Sequence, residues 1–328
     1  MIPETAGTKC PVCSSERIGP AFQARGAGLG EAEFLVQRCF ACGLGWTDPA
    51  PADDQIGRWY PPAYYGKDNV RFNPFFEWLV RWFRRRRARV IARLVPGGPI
   101  LDIGCGRGFM LSFLRQAGFE PHGVELNEAA AWHARNRLSL EVHVGSVLDA
   151  PYGPEQFQAV VLWHSLEHMR FPERILAHAK QVLKPGGLLV VAVPNSDSLQ
   201  ARWFGNRWFH LDVPRHYFHF GSRSLKGLLS KLGFEIVRED HFSVEQNPYG
   251  WLQSIYNALG FDFDFLYGLI KNRTSRMFSI RKHPVQALLS VALLPGFLVL
   301  ALVMTVIETA VRRGGTIAVY AVKKESSA

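Results

Sequence analysis

Three glycines at alternate positions close an apolar run in Ile100-Leu-Asp-Ile-Gly-Cys-Gly-Arg-Gly-Phe109, a pattern that lets a backbone turn tightly and approach a ligand to contact distance. The run reads as a buried strand entering a loop at Gly104, Gly106 and Gly108, and residues 109–116 read as a helix whose N-terminus favours an anion. Glu125 ends a second apolar strand, where a carboxylate can accept hydrogen bonds from both hydroxyls of a ribose. Together these residues imply an adenosine-containing ligand. A dinucleotide site would space its glycines G-x-G-x-x-G, whereas this chain has D-x-G-x-G-x-G. Asp102 sits inside the strand end, where it can order the loop and meet an ammonium group. A ligand with an amino-acid end suits that better than a pyrophosphate does.

A second constellation lies near the N-terminus. Cys10-Pro-Val-Cys13 and Cys39-Phe-Ala-Cys42 form two knuckles, and Gly43 supplies the turn after the second. Four thiolates at that spacing suit tetrahedral zinc in a structural site, folding a module too small for its own core. Two disulfides are the alternative, disfavoured in a cytosolic chain. The remaining cysteine, Cys105, belongs to the glycine loop and is expected to be chemically inert.

The elements around these residues alternate between strand and helix. A helix over Glu128 to Arg137 precedes a strand Leu140 to Val144 and a turn at Gly145-Ser-Val147. A strand Ala159 to Trp163 leads into His164-Ser-Leu-Glu-His168, and Leu183-Lys-Pro-Gly-Gly187 turns into a strand Leu188 to Val193 that ends at Pro194-Asn195. That order predicts a parallel α/β sheet covered by helices on both faces, with the ligand at the carboxyl ends of the strands where the strand order reverses.

The glycine loop, Glu125 and the ordered motifs after them resemble class I S-adenosylmethionine-dependent methyltransferases. That resemblance implies a doubly wound, Rossmann-like sheet of seven strands and S-adenosylmethionine as cofactor. It implies a cofactor site built from Asp102, Gly104, Cys105, Gly106, Gly108, Glu125, Leu126, Ser146, Val147 and Trp163. The family often has an acidic residue where this chain has Ser146. The cysteine knuckles followed by Trp46, Pro49, Pro51 and the aromatic segment Trp59-Tyr-Pro-Pro-Ala-Tyr-Tyr65 resemble the N-terminal part of a methyltransferase group often linked to sugar and polysaccharide modification. Phe204-Gly205, Trp208, Leu211-Asp-Val-Pro-Arg-His216 and the helix from Ser222 to Leu232 extend the likeness.

A hydroxyl acceptor must lose a proton, and histidine suits that role near neutral pH. His168 and His216 rank ahead of His164 as the catalytic base, with Glu167 and Asp212 as orienting carboxylates. Arg215 can hold an acceptor phosphate or carboxylate, or serve as a structural ion-pair partner.

Two further features concern partners. The 328-residue chain carries 38 Lys and Arg against 28 Asp and Glu, a net charge of +10, which suits an anionic partner: nucleic acid, phosphorylated substrate or acidic membrane. Residues 284–307 form an apolar run close to the length of a membrane span, followed by a strand at Gly315 to Lys323 that the family pairs with Phe234 to Arg238. Because both strands belong to one sheet, the run must go in and return. Pro295-Gly296 divides it, Arg281, Lys282, Arg312 and Arg313 flank it, and the expectation is a helical hairpin dipping into one leaflet. Buried helices, a dimer interface and a single span are the alternatives. A helix from Asn73 to Leu94 combines an aromatic stripe with Arg81 and Arg84 to Arg87, as an interfacial helix on anionic lipid requires; packing on the sheet with a solvated arginine face is its other reading.

The domain expectation is a zinc ribbon and aromatic linker over 1–66, a basic amphipathic helix over 67–97, a methyltransferase core over 98–242, a membrane-associating helical insertion over 243–313, and a last core strand over 314–325. No charged region followed by an apolar run and a cleavage site opens the chain, so the expected location is cytoplasmic, peripheral or monotopic on the inner membrane face. The expected activity is O-methylation of a saccharide or lipid-linked saccharide, without nucleic acid. A lipid or quinone O-methyltransferase is the enzymatic alternative, and an RNA-binding protein using ribbon and arginines is the alternative from another class.

Overall fold

In the computed structural model, residues 9–26, 33–52, 57–59, 72–271 and 273–324 are described. Of the aromatic segment expected after the knuckles, Trp59 is among them; Tyr60, Pro61, Pro62, Ala63, Tyr64 and Tyr65 lie outside. The chain divides into two interleaved units: residues 1–77, 194–224 and 240–317 form one, and residues 78–193, 225–239 and 318–328 the other.

The second unit carries a mixed seven-stranded sheet. Its strands are β4 (Gly98–Ile103), β5 (Phe119–Glu125), β6 (Glu141–Val144), β7 (Phe157–Trp163), β8 (Leu183–Pro194), β10 (Phe234–Asp240) and β11 (Thr316–Lys323), in the order β10-β11-β8-β7-β4-β5-β6. Strand β4 pairs in parallel with β5 on one side and β7 on the other, so the strand order reverses there, which places the ligand crevice at its carboxyl end. The central strands are apolar runs buried on both faces, as a helix-covered sheet requires: Val160, Val161, Leu162, Val190 and Val191 have no exposed surface. The last strand, β11, lies between β8 and β10, as the family pairing implied.

Local signals set the helices of this unit. Helix α1 (Pro74–Ala92) buries Arg87, Ala88 and Ile91, a stripe at helical spacing. Helix α2 (Phe109–Gln116) starts at Gly108 and buries Met110, Leu111 and Leu114. Helix α3 (Glu128–Leu138) is capped by Asn127, whose Oδ1 accepts the Ala130 N–H at 2.8 Å, and it ends at Ser139 in the left-handed region. Helix α4 (Pro172–Val182) starts with proline at its first turn and buries Ile175, Leu176, Ala179 and Val182. The Lys184 to Gly187 turn stands as an irregularity inside β8: Phe157 aligns with Leu183, but Ala159 aligns with Leu188.

In the first unit, β1 (Ile18–Arg25), β2 (Glu33–Cys39), β3 (Gly45–Asp48) and β9 (Phe218–His219) make an antiparallel sheet in the order β1-β2-β3-β9. Ala24 and Val36 pack with Trp208, Leu211 and Val213. The helices are α5 (Leu199–Phe204), α7 (Asn247–Ala258), α8 (Phe265–Ile270), α9 (Arg273–Lys282) and α10 (Pro284–Ala310), while α6 (Ser222–Lys231) runs from one unit into the other. A core of Trp251, Leu252, Tyr256, Leu266, Ala301 and Met304 joins α7 to α8 and α10.

Helix α10 corrects the expected hairpin: it is one uninterrupted helix of 27 residues with Pro295 inside it. An interior proline costs about 3 kcal/mol because it lacks an N–H and crowds the preceding turn. Here residues on both sides of it, Leu294 and Phe297 as well as Ala301 and Met304, belong to the same packed cluster, and Tyr256 holds Ser290 one turn earlier. Packing on both sides of the proline therefore outweighs one local defect.

Candidate active site

The glycine loop is locked onto β5 by its own backbone. Val124 O accepts the N–H groups of Gly104 (2.8 Å) and Cys105 (3.1 Å), and Cys105 O accepts that of Gly108 at 3.1 Å. Gly106 has φ +56°, and no described residue lies within 4 Å of the position a Cβ would take, so the loop presents bare backbone there. Gly108 needs φ +77°, and a Cβ there would stand 2.7 Å from Leu140 and 2.8 Å from Ala134. Two glycines thus serve opposite ends: one leaves room for a ligand, the other lets α2 start against α3.

Glu125 closes the site. Its Oε2 accepts the Gly106 N–H at 2.7 Å and its Oε1 accepts the Asn127 N–H at 2.8 Å. Each oxygen keeps capacity for a further donor, so the carboxylate is oriented by the loop and by the cap of α3 while remaining able to take a ribose hydroxyl. Beside it, Leu126 is 75% exposed, an apolar side chain held in solvent at the strand end. Ser146 caps the short turn Val147–Asp149, its Oγ accepting the Leu148 N–H at 3.2 Å, and Val147 is buried.

Asp102 is buried in β4, and burial raises its carboxyl to about 7; the Arg87 guanidinium pulls it down, Glu125 pushes it up and Arg84 pulls it down. Arg87 also stacks over Trp163, 4.0 Å from the ring centroid, while the buried Trp163 Nε1 has no hydrogen-bond partner among the described residues. Arg87 is the site residue that sequence reasoning missed. It hides in a run of arginines, and its one signal is helical register with Ala88 and Ile91. Cys105, by contrast, turns its sulfur inward: a Cβ on Gly123 would meet it at 2.7 Å, and burial pushes its thiol up.

The raised Asp102 carboxyl has a consequence with a defined sign. Its folded value lies above the ordinary 3.8, so the fold favours the protonated form; that stabilisation is complete below about pH 4 and is lost as pH rises through 7. A cationic ligand favours the ionised form instead. S-adenosylmethionine affinity should therefore rise between about pH 6 and pH 8 with release of a proton. Calorimetry in buffers of different ionisation enthalpy checks this; a flat profile with no proton release would contradict it.

His164 follows β7 with φ +51°, and its Nδ1 lies 3.4 Å from Glu167 Oε1. Glu167 is 1% exposed, and neither of its oxygens has a hydrogen-bond partner among the described residues. His168 closes the turn Leu166–His168, its N–H bonded to Ser165 O at 3.1 Å. In the first unit, His216 Nδ1 lies 3.1 Å from His210 O, and its Nε2 lies 3.8 Å from Asp212 Oδ2. Asp212 is in turn ion-paired with Arg215, giving that arginine a structural partner. His210 and His219 are buried as well; burial drives His219 down to about 4, so it is neutral.

The four knuckle cysteines meet as the spacing predicts. Their sulfurs lie within 4.8 Å of one another, with Cys10 to Cys42 at 3.6 Å and Cys13 to Cys39 at 3.5 Å. A disulfide needs about 2.05 Å; a tetrahedron with metal–sulfur bonds of about 2.3 Å has edges near 3.8 Å. The donor set fits a tetrahedral thiophilic cation. Burial raises Cys10 to about 11. At Cys39 burial works upward too but is outweighed by hydrogen bonds, the Cys42 N–H first among them, which leave it near 7. Arg223 clamps the second knuckle through the carbonyls of Ala41 and Cys42, a support the sequence did not announce.

The loop, acid and strand order define the class. The family model described as "Methyltransferase domain" matches residues 75–239, half of the chain, and the protein belongs to that family. It carries a class I S-adenosylmethionine-dependent methyltransferase domain with S-adenosylmethionine as cosubstrate. The chain is 26% identical over 161 residues to a Mycolicibacterium smegmatis protein named "Probable S-adenosylmethionine-dependent methyltransferase", covering 47% of this chain and 60% of the relative. It is 30% identical over 159 residues to a ubiquinone biosynthesis O-methyltransferase of Azoarcus sp., covering 45% and 64%. It thus spans under two thirds of these curated relatives. A solved S-adenosylmethionine-dependent methyltransferase from Archaeoglobus fulgidus aligns at TM-score 0.48 and 20% identity, over 76% of this chain and 100% of that one.

Proposed function

We propose that the protein transfers a methyl group from S-adenosylmethionine to a hydroxyl of a saccharide or lipid-linked saccharide, and that zinc occupies its four-cysteine cluster as a structural ion. The observation that carries the methyl-transfer reading is Glu125, aligned by Gly106 and Asn127 beside an open glycine backbone. When bound, S-adenosylmethionine supplies a methyl already activated by a positively charged sulfur. The chain's own task is to hold donor and acceptor in line and to take the acceptor's proton.

His164 is the base this reading favours. Glu167, buried with a carboxylate oxygen 3.4 Å from Nδ1, positions the imidazole and leaves Nε2 to receive a proton. The saccharide assignment itself rests on the sequence resemblance. A quinone precursor is the second reading, favoured by the relatives named for ubiquinone biosynthesis.

The test is label transfer from methyl-labelled cofactor to saccharide, lipid-linked saccharide and catechol acceptors in parallel. Label in a saccharide supports the first reading; label confined to the catechol replaces it with the second. With the accepted substrate, His164→Ala should lower kcat about 10²- to 10⁴-fold while leaving cofactor affinity unchanged. Undiminished kcat would remove His164 from the mechanism.

A further inference from the structure

Helix α10 is apolar on the side it turns to water as well as on the side it turns to the core. A surface helix buries its apolar stripe and shows its polar residues. Here the residues turned to the protein are Ser290, Ala301, Met304, Thr305 and Glu308. Thr305 Oγ1 donates to Ala301 O at 2.7 Å. Glu308 accepts from Gln200 Nε2 at 3.1 Å and from the Gly315 N–H at 3.3 Å. The residues turned away are aliphatic along the whole helix, among them Leu288 at 72% exposure, Val299 at 63% and Val306 at 68%. Only 17% of its most apolar 18-residue stretch is buried. A contiguous apolar face about 40 Å long, at 1.5 Å per residue, calls for a nonaqueous partner.

We propose that this face docks on the anionic leaflet of a lipid bilayer, with α10 lying in the plane of the interface rather than crossing it. The attachments of the helix exclude a crossing. Tyr256 Oη donates to Ser290 O at 2.8 Å near one end, the α7 core holds the middle, and the Leu199 N–H bonds Arg313 O at 3.1 Å just past the other end. A helix tied to protein along its length cannot be wrapped in hydrocarbon, but one side of it can be.

Charge selects lipid over a second copy of the chain. Arg281 and Lys282 precede the helix and Arg312 and Arg313 follow it, all exposed, while the outward face between them carries no charge. Pairing two copies of this face, parallel or antiparallel, brings positive ends against positive ends. Acidic headgroups meet both ends with opposite charge. Helix α1 supplies the same chemistry independently: Trp78 (61% exposed) and Trp82 lie exposed along it with Arg81, Arg85, Arg86 and Arg89. Tryptophan and arginine together suit the headgroup layer.

The test is flotation of the purified full chain with phosphatidylcholine vesicles, with and without phosphatidylglycerol. The chain should float with the anionic vesicles at least tenfold better than with neutral ones, and be released by alkaline carbonate. The triple variant Leu288→Asp, Val299→Asp, Val306→Asp should lose at least tenfold of that binding while keeping wild-type affinity for S-adenosylmethionine by calorimetry, which shows that it still folds. Retained flotation of the triple variant would overturn the proposal, as would resistance to carbonate. Absence of vesicle binding would overturn it too, and sedimentation as a dimer that the triple variant dissolves would name a second copy as the true partner. None of these readouts depends on methyl transfer.

Discussion

Glu125→Ala should weaken S-adenosylmethionine binding about 100- to 1000-fold, read by calorimetry on the purified protein. The carboxylate takes one backbone N–H on each oxygen, from Gly106 and Asn127, and both oxygens remain open to a sugar hydroxyl. Hydrogen bonds to a charged group contribute about 1.5–3 kcal/mol each, and two ribose contacts near the lower end of that range amount to roughly 3–4 kcal/mol of binding. The variant also leaves the Gly106 N–H without its acceptor, which loosens the loop. Glu125→Gln is the informative companion: it keeps an acceptor oxygen but surrenders the charge, and should fall between the two. Thermal unfolding of the unliganded Glu125→Ala protein should shift little, because the acid is a rim residue of the sheet rather than part of its apolar core. An alanine variant that binds with wild-type affinity would remove the acid from the site.

Cys39→Ser should release the metal and destabilise the knuckle region. The four sulfurs have no disulfide to fall back on, and Cys10 is buried where a thiolate without a cation is costly. Metal analysis of the wild-type protein should give about one zinc per chain, and the serine variant should give none. Structural zinc sites in small modules hold about 10–16 kcal/mol of apparent binding free energy, more than such a module's own core can offer, so limited proteolysis should cut residues 9–48 of the variant and spare them in the holoprotein. Wild-type protein purified without chelator and free of metal would refute the zinc assignment.

The parts of this site that could be read from the sequence are those where chemistry dictates residue type locally. Gly106 and Gly108 need positive φ, Glu125 must end a strand, and Cys10, Cys13, Cys39 and Cys42 must pair as knuckles; each requirement leaves its mark within a few neighbouring residues. Helix α2 begins and ends where the pattern placed it. What could not be read depends on tertiary packing. Arg87 looks like its arginine neighbours until α1 is laid against β4 and β7, and only then does it meet Asp102 and Trp163. Pro295 announces a break by its own chemistry, yet α7 packs against both sides of it and the helix continues. The return of β11 to the sheet from beyond a 27-residue helix was, by contrast, implied by the family pairing. Among the histidines, the sequence ranking put His168 and His216 ahead of His164. The buried carboxylate of Glu167 draws attention to His164, a pairing that depends on how the turn after β7 closes.

The central claim is that the loop from Gly104 to Gly108, with Glu125, holds the methyl donor. A crystal structure of the full chain grown with S-adenosylhomocysteine tests it most directly. Density for the nucleoside against the Gly106 backbone, with both ribose hydroxyls on the Glu125 carboxylate, is the predicted result. An empty loop at saturating ligand, or the nucleoside bound elsewhere, would contradict the account.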